Sequence, residues 1–161
     1  MSEVACVASL AHQGLVNSEM AHQLDLRDLD LTSVPTKHLS SLFSIVRDEV
    51  HITNISGCDL VTILDSIRSH ELFVMNQSLT SEETQALVRA MESCVERVTL
   101  YWAVFLDISD LMEYSGLGKC RVISLWGESG TRYRERLSVW AKSRNWNVSW
   151  GYDDCYFKRK K

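Results

Sequence analysis

Short runs with the character of β-strands recur along this chain at nearly constant intervals, and that periodicity constrains the fold more than any other feature. "LDLRD" starts at Leu24, "VHITN" at Val50, "LFVMN" at Leu72, "VTLYW" at Val98, "VISLW" at Val122 and "VSWGY" at Val148, in steps of 26, 22, 26, 24 and 26 residues. A period in this range marks repeated supersecondary units that bury their apolar faces by stacking. Apolar residues with helical spacing follow each of the first five runs. They are Leu39, Leu42, Phe43 and Val46; Leu60, Ile63, Leu64 and Ile67; Thr84, Leu87, Val88 and Met91; Ile108, Leu111 and Met112; and Tyr133, Leu137 and Trp140. The unit is strand, turn, helix.

Alternating β and α elements with short connections imply parallel strands joined by right-handed crossovers. A doubly wound sheet has helices on both faces and continuous apolar strands, whereas a solenoid has helices on one face and strands that alternate. These strands alternate: Leu24 and Leu26 enclose Asp25, Val50 and Ile52 enclose His51, and Val98 and Leu100 enclose Thr99. The expected fold class is therefore α/β, a short right-handed βα solenoid with a parallel sheet on the concave face and helices on the convex face.

The stretches "LDLRDLDLTSVPTKHLSSL" (24–42) and "LFVMNQSLTSEETQALVRAM" (72–91) resemble the repeat of leucine-rich-repeat proteins of the helix-bearing, ribonuclease-inhibitor-like type. "VHITNISGCDLVTILDSI" is a shortened version, and the units from Val98 and Val122 keep only the strand and helix. Where the family places an inward Asn that bonds backbone in the turn between units, this chain has Leu29, Ile55 and Gln77, of which only Gln77 can do similar polar work. The resemblance implies a short, capped relative and transfers no partner. It divides the single domain 1–161 into an N-terminal helical cap (1–23), five βα units (24–145) and a C-terminal strand cap with a basic tail (146–161). Val4, Val7, Ala8 and Ala11 supply the stripe of the first cap; Trp146, Val148, Trp150 and Tyr152, with Tyr156 and Phe157 nearby, supply the aromatic bulk of the second.

Gly127-Glu128-Ser129-Gly130-Thr131, between a strand and a helix, has the look of a phosphate loop. Its glycines are three apart and neither Lys nor Ser follows Gly130, so the groups that reach phosphate oxygens and Mg²⁺ are missing. Every unit has its strand-to-helix turn at this place, which is the expected role. Arg132 and Arg134 read as a solvated helix face.

Other chemistry finds little support. Asp25 and His51 become neighbours across two strands, but Phe73 and Thr99 follow in that row and offer no activated nucleophile. Cys58 has no adjacent base, and Asp59 disfavours its thiolate. Cys6, Cys58, Cys94, Cys120 and Cys155 are scattered singly, without zinc or disulfide spacing, and the histidines are equally dispersed. No catalytic residue, metal or cofactor is expected. The last four residues are all basic, leaving 13 Lys and Arg against 21 Asp and Glu in the body of the chain, a poor balance for nucleic acid. No apolar run approaches the ~20 residues of a membrane span, and Glu3 stands where a secretory signal would be basic. A cytoplasmic protein is expected.

The open sheet face is the candidate site. Its outward positions give three rows: Asp25, His51, Phe73, Thr99; Arg27, Thr53, Met75, Tyr101; and Asp28, Asn54, Asn76, Trp102, with Trp126 extending the last. Exposed aromatics and Met mark surfaces that something covers, so the expected function is a non-enzymatic interaction module that binds another protein, with a homodimer also open. The C-terminal segment folding back over the face is the competing reading of these residues. A small α/β domain with ligand-binding or catalytic activity is the alternative function.

Overall fold

A computed structural model describes residues 2–19, 21–101, 104–105, 109–127 and 133–161, with 104–105 described at the backbone alone. Helix α1 (Glu3–His12) leads into β1 (Gln23–Arg27), α2 (Thr36–Ile45), β2 (Glu49–Thr53), α3 (Leu60–Ser66), β3 (Glu71–Met75) and the short β4 (Ser78–Leu79). There follow α4 (Ser81–Ser93), β5 (Arg97–Tyr101), β6 (Val104–Phe105), α5 (Ser109–Met112), β7 (Val122–Trp126), α6 (Arg134–Ser143), β8 (Trp146–Trp150) and β9 (Asp154–Arg159). Seven strands form one open sheet in the order β1-β2-β3-β5-β7-β9-β8, and β4 pairs with β6 separately. The fold is mixed α/β with a mostly parallel sheet and six described helices.

Local sequence explains where the helices begin. Ser2 and Asp59 accept from the exposed amides of Ala5 and Thr62, at 3.2 and 3.1 Å. Thr80 and Glu83 close a reciprocal box at α4: Glu83 N donates to Thr80 Oγ1 and Thr80 N donates to Glu83 Oε2. Such caps satisfy amides that have no partner within the helix. Consecutive helices from α1 to α5 pack side by side.

The expected apolar stripes are the helix faces that meet the sheet. Leu39, Leu42, Phe43 and Val46, then Leu60, Ile63, Leu64 and Ile67, then Thr84, Leu87, Val88 and Met91 are all buried. They join Leu26, Val50, Ile52, Leu72, Val74, Val98 and Leu100 from the strands in one core. Ile108 lies outside the described residues; Leu111 and Leu137 occupy the core as expected.

The sheet departs from an all-parallel series after β7. β9 lies between β7 and β8 and is antiparallel to both, so the run at Val148 is the outermost strand and not the sixth parallel neighbour. Alternation at Trp146, Val148 and Trp150 fixes which side faces the core, but it says nothing about which strand lies alongside. Gly151 N bonds Asp154 O at 2.9 Å across a tight hairpin loop, which lets Cys155 and Phe157 enter the core beside β7. Lys158 and Arg159, expected in the basic tail, end β9, and the Arg159 guanidinium donates to the carbonyls of Gly116 and Gly118 at 3.1 and 2.8 Å.

Candidate functional site

β1, β2, β3 and β7 each end at a residue with left-handed backbone. Asp28, Asn54 and Asn76 have φ of 51°, 47° and 48°, and Gly127 has φ 89°. Their amides carry the ladder one step beyond the strand: Asp28 N bonds Thr53 O at 2.9 Å, Asn54 N bonds Met75 O at 3.3 Å, and Asn76 N bonds Tyr101 O at 2.9 Å. Asn, Asp and Gly are the residues that adopt this region at least cost. Gly127 follows Trp126 as Asn76 follows Met75, since Trp126 is level with Tyr101. The glycine that opens the phosphate-loop-like stretch thus turns the chain out of the sheet, while Glu128 to Arg132 lie outside the described residues.

This geometry moves the third expected row. Asp28, Asn54 and Asn76 are exposed, but they form the turn row beyond the strands, where Asn54 Nδ2 donates to Asp28 Oδ1 at 2.8 Å. Trp102 lies outside the described residues. Trp126 does not extend that row; it continues Arg27, Thr53, Met75 and Tyr101. The reason is a one-residue slip: Ile123, not Val122, pairs with Val98, because Ile123 and Leu125 are the inward pair of β7. Adjacent apolar residues at 122 and 123 left the phase undetermined in sequence.

The first row stands in the expected register, Asp25, His51, Phe73 and Thr99, and then gains Ser124 and Tyr156. A further row was missed: Gln23, Glu49, Glu71, Arg97 and Val122. Tyr156 was missed as a face residue because β9 was not recognised, although Cys155 and Phe157 alternating with Tyr156 and Lys158 carry a period-two signal.

Chemically the face has two halves. Over β1 to β3 its charged groups are paired within the chain. Arg27 grips the Asp25 carboxylate, with Nε 2.8 and 3.0 Å from its two oxygens and Nη2 at 2.7 Å. The Arg27 hydrogen bond, ahead of opposing burial, holds Asp25 below the usual carboxylate range. His51 bonds Glu49 at 3.2 Å and stacks on Phe73 with ring centroids 4.3 Å apart. Although Asp25 and His51 are lateral neighbours, each hydrogen-bonds a residue of its own strand, so no relay joins them. The Thr53 hydroxyl is buried here with no hydrogen-bond partner.

Over β5, β7 and β9 the face is aromatic. Tyr101 and Trp126 meet with centroids 6.0 Å apart, and Tyr101, Trp126 and Tyr156 are 37%, 42% and 38% exposed. The C-terminal hairpin does not fold over these rings. It joins the sheet edgewise and adds Tyr156 to the face, while Trp146 and Phe157 pack beneath it against Trp140.

The cysteines are all free. Burial pushes the Cys120 and Cys155 thiols up to about 12, and burial followed by Asp59 and Glu83 raises Cys58. Among the described residues no group of three or more His, Cys, Asp or Glu is placed to hold a metal ion, and no helix is long and apolar enough to cross a membrane. Gln77 does the work expected of it: its side chain accepts from Ile55 N at 2.9 Å and donates to Ile55 O at 3.1 Å.

Comparison of the chain with protein-family models, curated proteins and solved structures finds no match. The class rests on the fold alone: an α/β protein with an open, mostly parallel seven-stranded sheet and one aromatic-rich face.

Proposed function

We propose that the chain is a short right-handed βα solenoid of the leucine-rich-repeat type, a cytoplasmic interaction module that binds another protein on its open sheet face without cofactor or catalysis. The observation that carries this reading is the set of Tyr101, Trp126 and Tyr156, three large rings left more than a third exposed on one sheet face. Such rings lose little conformational entropy on binding and dominate interface energetics. The paired charges over β1 to β3 supply a polar rim.

The test is capture from cytosolic extract by the immobilised chain, compared with the double variant Tyr101→Ala/Trp126→Ala and a control at the exposed α4 residue Glu92→Ala. Proteins held through the face should be retained by wild type and control, and lost at least ~10-fold by the double variant, since truncating central aromatic contacts costs about 2 kcal/mol or more. Retention by a folded double variant equal to wild type would refute the reading.

A further inference from the structure

The two edges of the sheet are protected very differently. β1 carries the paired charges Asp25 and Arg27 on its exposed side, the usual defence of an edge strand. β8, at the other edge, reads Trp146-Asn147-Val148-Ser149-Trp150 and carries no charge, proline or glycine. Inward residues of interior strands are fully covered, as Ile123 and Phe157 are at 1% exposure. The inward Val148 and Trp150 are only half-buried, since among the described residues no strand lies beyond them.

The outer hydrogen-bonding groups of β8 can be assigned. Gly151 N bonds Asp154 O and Lys160 N bonds Asn145 O at the two ends of the β8–β9 ladder. Alternation then directs the backbone groups of Asn147 and Ser149 toward β9 and those of Trp146, Val148 and Trp150 outward. These outward groups are centred on Val148, and the strand has the same character read in either direction: Trp, polar, Val, polar, Trp.

From this we propose that β8 is a dimerisation edge that pairs antiparallel with β8 of a second copy of this chain, about a two-fold axis through Val148. Val148 faces Val148, Trp146 faces Trp150 and Asn147 faces Ser149, with about six ladder hydrogen bonds between the copies. An axis perpendicular to the sheet keeps every inward side chain inward and every helix on its own side, as a self-complementary interface requires. The half-buried Val148 and Trp150 become covered. Arg134, stacked 5.0 Å over the Trp150 ring, lies at opposite ends of the seam in the two copies, about 14 Å apart at ~3.4 Å per residue, where salt screens the repulsion. The open faces of both copies stay free, so the inference does not depend on the partner-binding reading. One strand pair buries less than the ~1,000 Å² of a stable interface, so the dimer is weak and concentration-dependent.

Sedimentation equilibrium of the whole chain over a wide concentration range tests this. The average mass should rise from 18.4 kDa toward twice that value. Val148→Pro removes an outward donor without touching the β8–β9 ladder and should hold the protein at monomer mass. A charge pair tests the register independently of that substitution. Asn147→Lys/Ser149→Lys sets like charges opposite each other across the seam and should stay monomeric, whereas Asn147→Lys/Ser149→Glu sets opposite charges there and should dimerise at least as well as wild type. A wild-type chain that is monomeric throughout, including one that instead takes up an extended peptide at this edge, overturns the proposal. So does a dimer that survives the Lys/Lys substitution, or one that Lys/Glu disrupts equally.

Discussion

Gln77 offers the most direct test of how neighbouring units are held together. Its amide bonds both the N–H and the C=O of Ile55, in the turn of the preceding unit, and Ile55 is 5% exposed. Gln77→Leu keeps the volume but leaves that donor and acceptor unpaired. A buried group deprived of its partner costs about 1–3 kcal/mol; with Gln77 itself half-buried, the lower part of that range applies to each, giving about 2–3 kcal/mol in all. For a chain of this size each kcal/mol lowers Tm by about 2–4 °C, so urea and thermal unfolding followed by tryptophan fluorescence should show a loss of about 5–10 °C. Gln77→Glu sharpens the argument. A protonated Glu can still donate to Ile55 O, but a carboxylate sets a negative oxygen against it, so the folded state favours the protonated form and raises this pKa above its unfolded value near ~4.3. The protonated form's stabilisation is then complete below the unfolded pKa and is lost as pH rises through the folded one. Relative to wild type, Gln77→Glu should therefore recover stability on acidification. A cost below about 0.5 kcal/mol for Gln77→Leu, the range of ordinary surface sites, would show that the two hydrogen bonds do not tie the units together.

Leu87 on α4 is fully buried, and Leu87→Ala should cost about 2–5 kcal/mol through lost burial and a cavity, read from the shift of the urea midpoint. His38 packs against His12 with ring centroids 4.5 Å apart, and desolvation, then the His12 and Lys37 charges, hold it below the usual histidine range. The folded chain thus binds fewer protons there than the unfolded one, so this contact loses stability as pH falls below about 6.5; His38→Gln should flatten that part of the pH profile relative to wild type. Gly57 has φ 71°, and a Cβ there would sit 2.7 Å from Thr32 N, so Gly57→Ala should destabilise by more than the ~1 kcal/mol of an ordinary surface turn, as denaturant titration would show. Calorimetry with Mg²⁺ and ATP or GTP should give no binding heat, because the loop at Gly127 has no lysine to reach phosphate oxygens.

Most of the parallel sheet and its helix layer was legible because two periods coexist without conflict. Val50 and Ile52 flanking His51 fix one side of β2, and Leu60, Ile63, Leu64 and Ile67 fix one side of α3; each pattern has a single phase that buries all its apolar groups. Where two phases are nearly equal, sequence stops deciding. At Val122-Ile123 either residue can serve as the first inward one, and the choice carried Trp126 into a different row. β9 posed a different difficulty. Its strand character resides in only Cys155 and Phe157, within a stretch whose Asp153, Asp154, Lys158 and Arg159 look like a polar terminus, and its place between β7 and β8 depends on a hairpin that no local pattern encodes.

The turn row explains why the candidate face has the composition it has. Because Asp28, Asn54, Asn76 and Gly127 all take left-handed backbone, β1, β2, β3 and β7 end in register and the face is three residues deep along each of them. Its character is then set by which strands cross it. Over β1 to β3 the outward charged groups are held within the chain, Asp25 by Arg27, Glu49 by a hydrogen bond to His51 and Glu71 by Arg97 of the next strand, and an incoming surface would have to break those contacts to use them. Over β5, β7 and β9 the outward groups include Tyr101, Trp126 and Tyr156, whose exposed area is gained back only by covering it. On the proposed reading, binding free energy therefore concentrates at the C-terminal half of the sheet, and the N-terminal half sets which partners are repelled. The same hairpin that adds Tyr156 to this half also places the uncharged β8 edge beyond it, so a second copy joined there would set two aromatic halves on one continuous sheet.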